Sequence, residues 1–252
     1  MNQPRVVYAI AESCPFDSLL VREMKRVVGS LLQLNLKRFR VPEKSMAKYS
    51  ALDILKQALE LLFEFGPSEK NYREAIRTIQ VYSEGDLDMI QILNSGFKFV
   101  ANAVYNTYAG QRCAEKLSPE ILFLQGVPFD QIDVEQAFRF VGVKPPNAGP
   151  QTIKKMHFLD QGYQPYRDYL DRMVGDQPQK GREEHWVKVI EMALSESSGK
   201  ALLRVGSDHL QSHFVSFTRK GTGNLITMLN KRSIEVKVVE RVPDLNQVFG
   251  KH

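Results

Sequence analysis

The chain has 252 residues, 43% of them hydrophobic and 25% charged, which is the composition of a folded protein with a sizeable core rather than of a disordered or fibrous chain. Its 34 basic and 29 acidic residues leave a net charge of +5, with both signs interspersed and no nucleic-acid-binding motif beside them. No apolar run reaches the length needed to cross a bilayer, and MNQPRVVYAIAESC has too little charge and too short an apolar stretch for a signal peptide, so a soluble, cytoplasmic, non-membrane protein is expected. Two cysteines, Cys14 and Cys113, make no disulfide framework and have no metal-type spacing.

In chain order, RVVYAI at 5–10 is a strand, and the break at Cys14-Pro15 is followed by helical periodicity from Phe16 onward. Leu52, Leu55, Leu59 and Leu62 recur at helical spacing across Tyr49–Phe65, and Ser68 then caps a new helix. The pattern from Asp86 to Leu117 is helical again, with Gly96 and Gly110 as possible interruptions. EILFLQG at 120–126 returns to strand character, VEQAFRFVG is a short helix, and KPPNAGPQ is a loop.

Alternation becomes regular in the last third of the chain. QPYRDYLDRMV and REEHWVKVIEMALSES read as helices, KALLRV as a strand, LQSHFVSF and NLITMLNKR as helices, and IEVKVVER as a final strand. Strands separated by helices predict an α/β fold with a small, mostly parallel sheet flanked by helices and a large helical insertion or cap. The expected organisation is a first strand-turn-helix at 1–42, a helical block at 43–117, and the remainder of the α/β core at 118–252.

Ligands of open parallel sheets collect beyond the carboxyl ends of the strands. Two loops there carry reactive groups: AESC, with Glu12 and Cys14, and GSDH, with Ser207, Asp208 and His209. Glu12 and His209 are candidate acid-base residues, and Asp208 or Glu12 would orient the imidazole. Cys14 is either a nucleophile favoured by a following helix N-terminus or a small buried hydrophobe. His213, one helical turn beyond His209, would complete a divalent metal set of Glu12, His209 and His213; its structural alternative is a packing or surface residue. Tyr166 and Arg167 belong to an aromatic-basic helix face able to hold an anionic or planar substrate, against the plainer reading of an exposed helix face. RKGTGN at 219–224 reads as a turn.

LLRVGSDHL, with the helix before it and the helix and strand after it, resembles the C-terminal part of the erythromycin esterase/ChaN-like superfamily, which includes the TraB and Tiki proteins. Gly206 and His209 match its Gly-x-x-His motif, and Glu12 matches the acidic position of a Gly-Glu-x-His motif after the first strand. Ala11 and Cys14 depart from that first motif, standing where glycine and histidine are usual. The resemblance implies a hydrolase acting on a small molecule through acid-base or metal-assisted chemistry at the two loops. It equally implies, as an alternative, a non-catalytic relative that binds a ligand such as haem or a protein partner. A macromolecule-binding helical module with the α/β part as scaffold is a third reading.

Overall fold

The computed structural model describes residues 5–39, 49–64, 67–83, 85–144, 152–172, 181–210 and 225–249. Five parallel strands form one sheet in the order β3-β2-β4-β1-β5, where β1 is Arg5–Glu12, β2 Ile121–Leu124, β3 Lys155–Phe158, β4 Ala201–Gly206 and β5 Ile234–Val242. The predicted α/β class with a parallel, helix-flanked sheet is the fold observed. Strands β1, β2 and β4 are the apolar runs, as interior parallel strands covered on both faces must be.

The helices are α1 (Ser18–Phe39), α2 (Ala51–Glu64), α3 (Glu69–Tyr82), α4 (Leu87–Leu117), α5 (Gln131–Phe140), α6 (Gln164–Arg172), α7 (Arg182–Ser195), α8 (Leu225–Asn230) and α9 (Leu245–Phe249). The chain forms two compact units. The first comprises Met1–Leu19, Asn106–Phe129 and Asn147–Pro243, and holds the sheet; the second comprises Leu20–Tyr105, Asp130–Pro146 and Asp244–His252.

In the first unit, Val7, Ala9 and Ala11 of β1 join Ile121, Phe123, Leu203 and Val205 in one buried cluster with Trp186 and Ile190 of α7 and Leu225 and Leu229 of α8. The alternate residues of β1 and β4, including Glu12 and Arg204, therefore point to the opposite face. In the second unit the described segments are helical. The Ser68 hydroxyl accepts from the Asn71 N–H at the start of α3, the cap read from the sequence.

Three local expectations are corrected. Neither Gly96 nor Gly110 interrupts α4, which runs unbroken for 31 residues; both glycines sit where another group comes close, Val27 at the first and Arg204 and Glu12 at the second. The helix after Pro15 begins at Ser18, and the Phe16 N–H ahead of it donates to Glu12 Oε2. Strand β3 was not anticipated: KMHF is a short edge strand whose Lys155 and Met156 are exposed, so it has no apolar alternation. The helical reading of 211–217, the RKGTGN turn and most of the KPPNAGPQ loop lie outside the described residues.

Candidate functional site

All five strands run the same way, so the AESC and GSDH loops leave the same edge of the sheet. Their strands are neighbours, with Glu12 of β1 paired in register with Gly206 of β4. A Cβ built on Gly206 would stand 3.4 Å from Gln125 Oε1, 3.6 Å from His209 Cδ2 and 3.8 Å from Pro15 Cγ. The two loops and the end of β2 thus meet around one bare backbone position.

His209 ends a single 3-10 turn, Ser207–His209, that follows β4, and it is 5% exposed. Its Nδ1 lies 2.7 Å from Oε1 of Glu183, in the first turn of α7. The Glu183 carboxylate oxygen accepts in this contact, and His209 Nδ1 donates. Glu183 is also buried, and its Oε2 has no hydrogen-bond partner among the described residues. The residue holding the imidazole is therefore Glu183, not Asp208 or Glu12. Asp208 is exposed and Ser207 half-buried in the same turn.

Glu12 has a different occupation. It is fully buried, and its Oε1 accepts from Arg204 Nε at 2.8 Å and pairs with Nη2 at 2.7 Å, while its Oε2 accepts from the Phe16 N–H at 3.1 Å. Burial raises its pKa, and the Arg204 charge and hydrogen bond oppose that shift without overcoming it. Both oxygens are committed to the protein, so the expected free acid-base or metal-binding carboxylate is a structural ion pair.

Cys14 is half-buried in the loop that Glu12 closes. Oδ1 of Asn106, on α4, accepts from the Ser13 N–H at 3.1 Å, the Ser13 hydroxyl at 3.2 Å and the Cys14 N–H at 3.3 Å. Since α1 starts four residues later, Cys14 does not sit on a helix N-terminus.

A second polar cluster lies where β3 ends. Asp160 Oδ1 accepts from Arg182 Nε at 2.7 Å and Trp186 Nε1 at 2.9 Å; Oδ2 accepts from Arg182 Nη2 at 2.7 Å and the Gly126 N–H at 2.8 Å. Burial works against the Arg182 charge, but the hydrogen bonds and field of Asp160 outweigh it and raise its pKa. The Arg182 guanidinium also lies 4.2 Å from the Tyr166 ring centroid. Tyr166 is buried and the next residue of α6, Arg167, is exposed, so the two do not form the predicted aromatic-basic substrate face. Trp186 joins the clusters, its ring centroid 4.5 Å from that of His209.

The donor set does not fit a divalent metal. Glu12 is occupied by Arg204 and Phe16, His209 Nδ1 by Glu183, and no group of three His, Cys, Asp or Glu capable of holding a metal occurs among the described residues. His213 lies outside them.

Sequence reasoning overlooked Glu183, Gln125, Asn106 and Arg204. Arg204 carried a usable signal: a lone arginine within the buried strand ALLRV requires a buried anion. Glu183 carried none, because acidic residues in a first helical turn are ordinary partners of the helix dipole. No family model matches the chain, and neither curated proteins nor solved structures yield a match.

Proposed function

We propose that the carboxyl edge of the sheet is the site of a small-molecule hydrolase of the kind implied by the resemblance to the erythromycin esterase/ChaN-like superfamily. The observation that carries this reading is the 2.7 Å contact between Glu183 Oε1 and His209 Nδ1 at the end of β4, beside the AESC loop. A buried carboxylate on one ring nitrogen fixes the tautomer and stabilises the imidazolium that forms when the other nitrogen takes a proton. Among the described residues nothing else bonds to Glu183 Oε2, so the His209 ring is the hydrogen-bond partner of this carboxyl group there.

In this reading His209 Nε2 removes the proton of the attacking group, and the new bond to the acyl carbon forms as the bond to the leaving alcohol breaks. The same nitrogen then returns the proton to the leaving oxygen. The attacking group is water, or it is the Cys14 thiol, in which case the acyl-thioester left on sulfur is cleaved by a water whose proton passes to the same nitrogen, breaking the C–S bond and releasing the acid and the thiol. Glu12 acts through the loop, holding Phe16 and β4 in place, and no step passes through a metal.

The test is hydrolysis of small acyl esters, beginning with p-nitrophenyl acetate, by the full chain. Glu183→Gln keeps a hydrogen bond to Nδ1 but removes the charge, and is expected to lower turnover about 10²-fold. Asp208→Asn is expected to leave it near the original rate. Equal effects of the two substitutions would contradict the assignment of Glu183. Cys14→Ala separates the nucleophiles: loss of turnover identifies the thiol, retention identifies water. The sealed ion pair of Glu12 favours a second reading, a non-catalytic ligand-binding relative, which predicts saturable ligand binding with no hydrolysis of any ester.

A further inference from the structure

Glu183 and Trp186 meet His209 from a single turn of α7. They stand three positions apart and so share a face of the helix: Glu183 Oε1 lies 2.7 Å from His209 Nδ1, and the Trp186 ring centroid lies 4.5 Å from that of the imidazole. The placement of the imidazole therefore depends on the placement of this turn. The turn lacks the usual anchor, because its N-cap is Gly181, at φ 77°, and no side chain caps the helix.

Asp160 takes the place of a cap. Arg182 donates to it from Nε to Oδ1 and from Nη2 to Oδ2, each at 2.7 Å, and the guanidinium lies 4.2 Å from the Tyr166 ring centroid and 4.7 Å from that of Trp186. Trp186 Nε1 donates to the same Oδ1 at 2.9 Å. One carboxylate thus holds the two residues that bracket Glu183 along α7. Asp160 is in turn tied to the sheet just past the end of β2, where its N–H donates to the Gly126 carbonyl at 2.9 Å and its Oδ2 accepts from the Gly126 N–H at 2.8 Å. Asp160, Arg182 and Trp186 are all fully buried. Removing such an ion pair from water offsets much of its attraction, and apolar side chains of similar volume hold a core as well, so cohesion alone does not call for it. Its two-point geometry fixes angle as well as distance.

We infer that Asp160 is a positioning residue, which through Arg182 and Trp186 sets the first turn of α7 and with it the contact between Glu183 and His209. The positioning stands on the geometry alone. Its effect on turnover rests on the hydrolytic reading, in which a base displaced from its reacting proton loses rate rather than substrate affinity.

The test follows the His209 Nδ1–H proton by nuclear magnetic resonance in the full chain, at a temperature where every variant compared is folded. A proton held between imidazole and carboxylate resonates far downfield of the backbone amides and exchanges slowly with water, and Glu183→Gln identifies it by shifting it. Arg182→Lys keeps the charge beside Asp160 but loses the two-point fork. Trp186→Phe keeps an aromatic ring beside His209 but loses the bond to Asp160. In both variants the resonance is expected to move upfield or to be lost to exchange, and kcat on p-nitrophenyl acetate to fall about 10–10²-fold with KM unchanged. Leu62→Ala, at a buried position of α2 in the second unit, is expected to lower the melting temperature and leave the resonance in place. A merely structural role for Asp160 predicts that same outcome for Arg182→Lys and Trp186→Phe. An unmoved resonance in either folded variant, or the absence of such a resonance from the original protein, would overturn the inference. A moved resonance in a protein without ester turnover supports the positioning and removes the hydrolytic reading; turnover with an unmoved resonance does the reverse.

Discussion

Arg204 determines what Glu12 can do. Once a guanidinium lies 2.7–2.8 Å from one carboxylate oxygen in a fully buried setting, removing either partner strands a charge in the protein interior. Glu12→Gln is accordingly expected to lower stability by about 3–5 kcal/mol, measured by chemical unfolding, with any loss of turnover following the folded fraction. Unchanged stability together with lost turnover would restore Glu12 as an acid-base residue. His157 offers a pH-dependent counterpart. Burial, with Lys155 adding to it, lowers its pKa below 6.5, its ring stacks on Phe123, and its Nε2 is buried without a partner among the described residues. The unfolded chain then binds this proton more readily than the folded one, so its contribution is present above pH 6.5 and is lost as pH falls below that value. His157→Phe should flatten this part of the decline in denaturation midpoint between neutral and mildly acidic pH; an unchanged slope would show that other groups set it.

Among the elements, α4 shows most plainly how local preference and packing part company. In an isolated helix Gly110→Ala would add about 1 kcal/mol of stability. Here a Cβ at 110 would overlap the Arg204 guanidinium and the Glu12 carboxylate, so the expected sign reverses, with a loss of about 1–3 kcal/mol in the melting or denaturant midpoint. A stabilised variant would mean that the ion pair yields space freely. The same element shows what could be read from the sequence. Its 3.6-residue apolar period was legible, as were β1, β2 and β4 from their apolar runs and β5 from β-branched residues alternating with charged ones, since these patterns record which face is buried. The reason for Gly110 was not, because it lies in contacts with Glu12 and Arg204 that are distant in sequence. Strand β3 was hidden because an exposed edge strand has little burial to record.

For the molecule as a whole, the parallel order β3-β2-β4-β1-β5 converts separate stretches of sequence into one edge. That the AESC and GSDH loops leave one edge of the sheet followed from the strand-helix alternation; that their strands are neighbours did not, nor did the side chains they meet, because Glu183, Gln125 and Asn106 come from other parts of the chain. No helix among the described residues is long and apolar enough to cross a membrane. The central claim, that His209 is the base of a hydrolytic site, is tested most directly by measuring p-nitrophenyl acetate turnover and melting temperature on the same preparations of the original protein and His209→Ala. The account predicts a cooperatively folded variant, destabilised by about the 1–3 kcal/mol of a lost buried hydrogen bond, whose turnover per folded molecule falls about 10²–10⁴-fold. A folded His209→Ala protein that turns over at the original rate would contradict it.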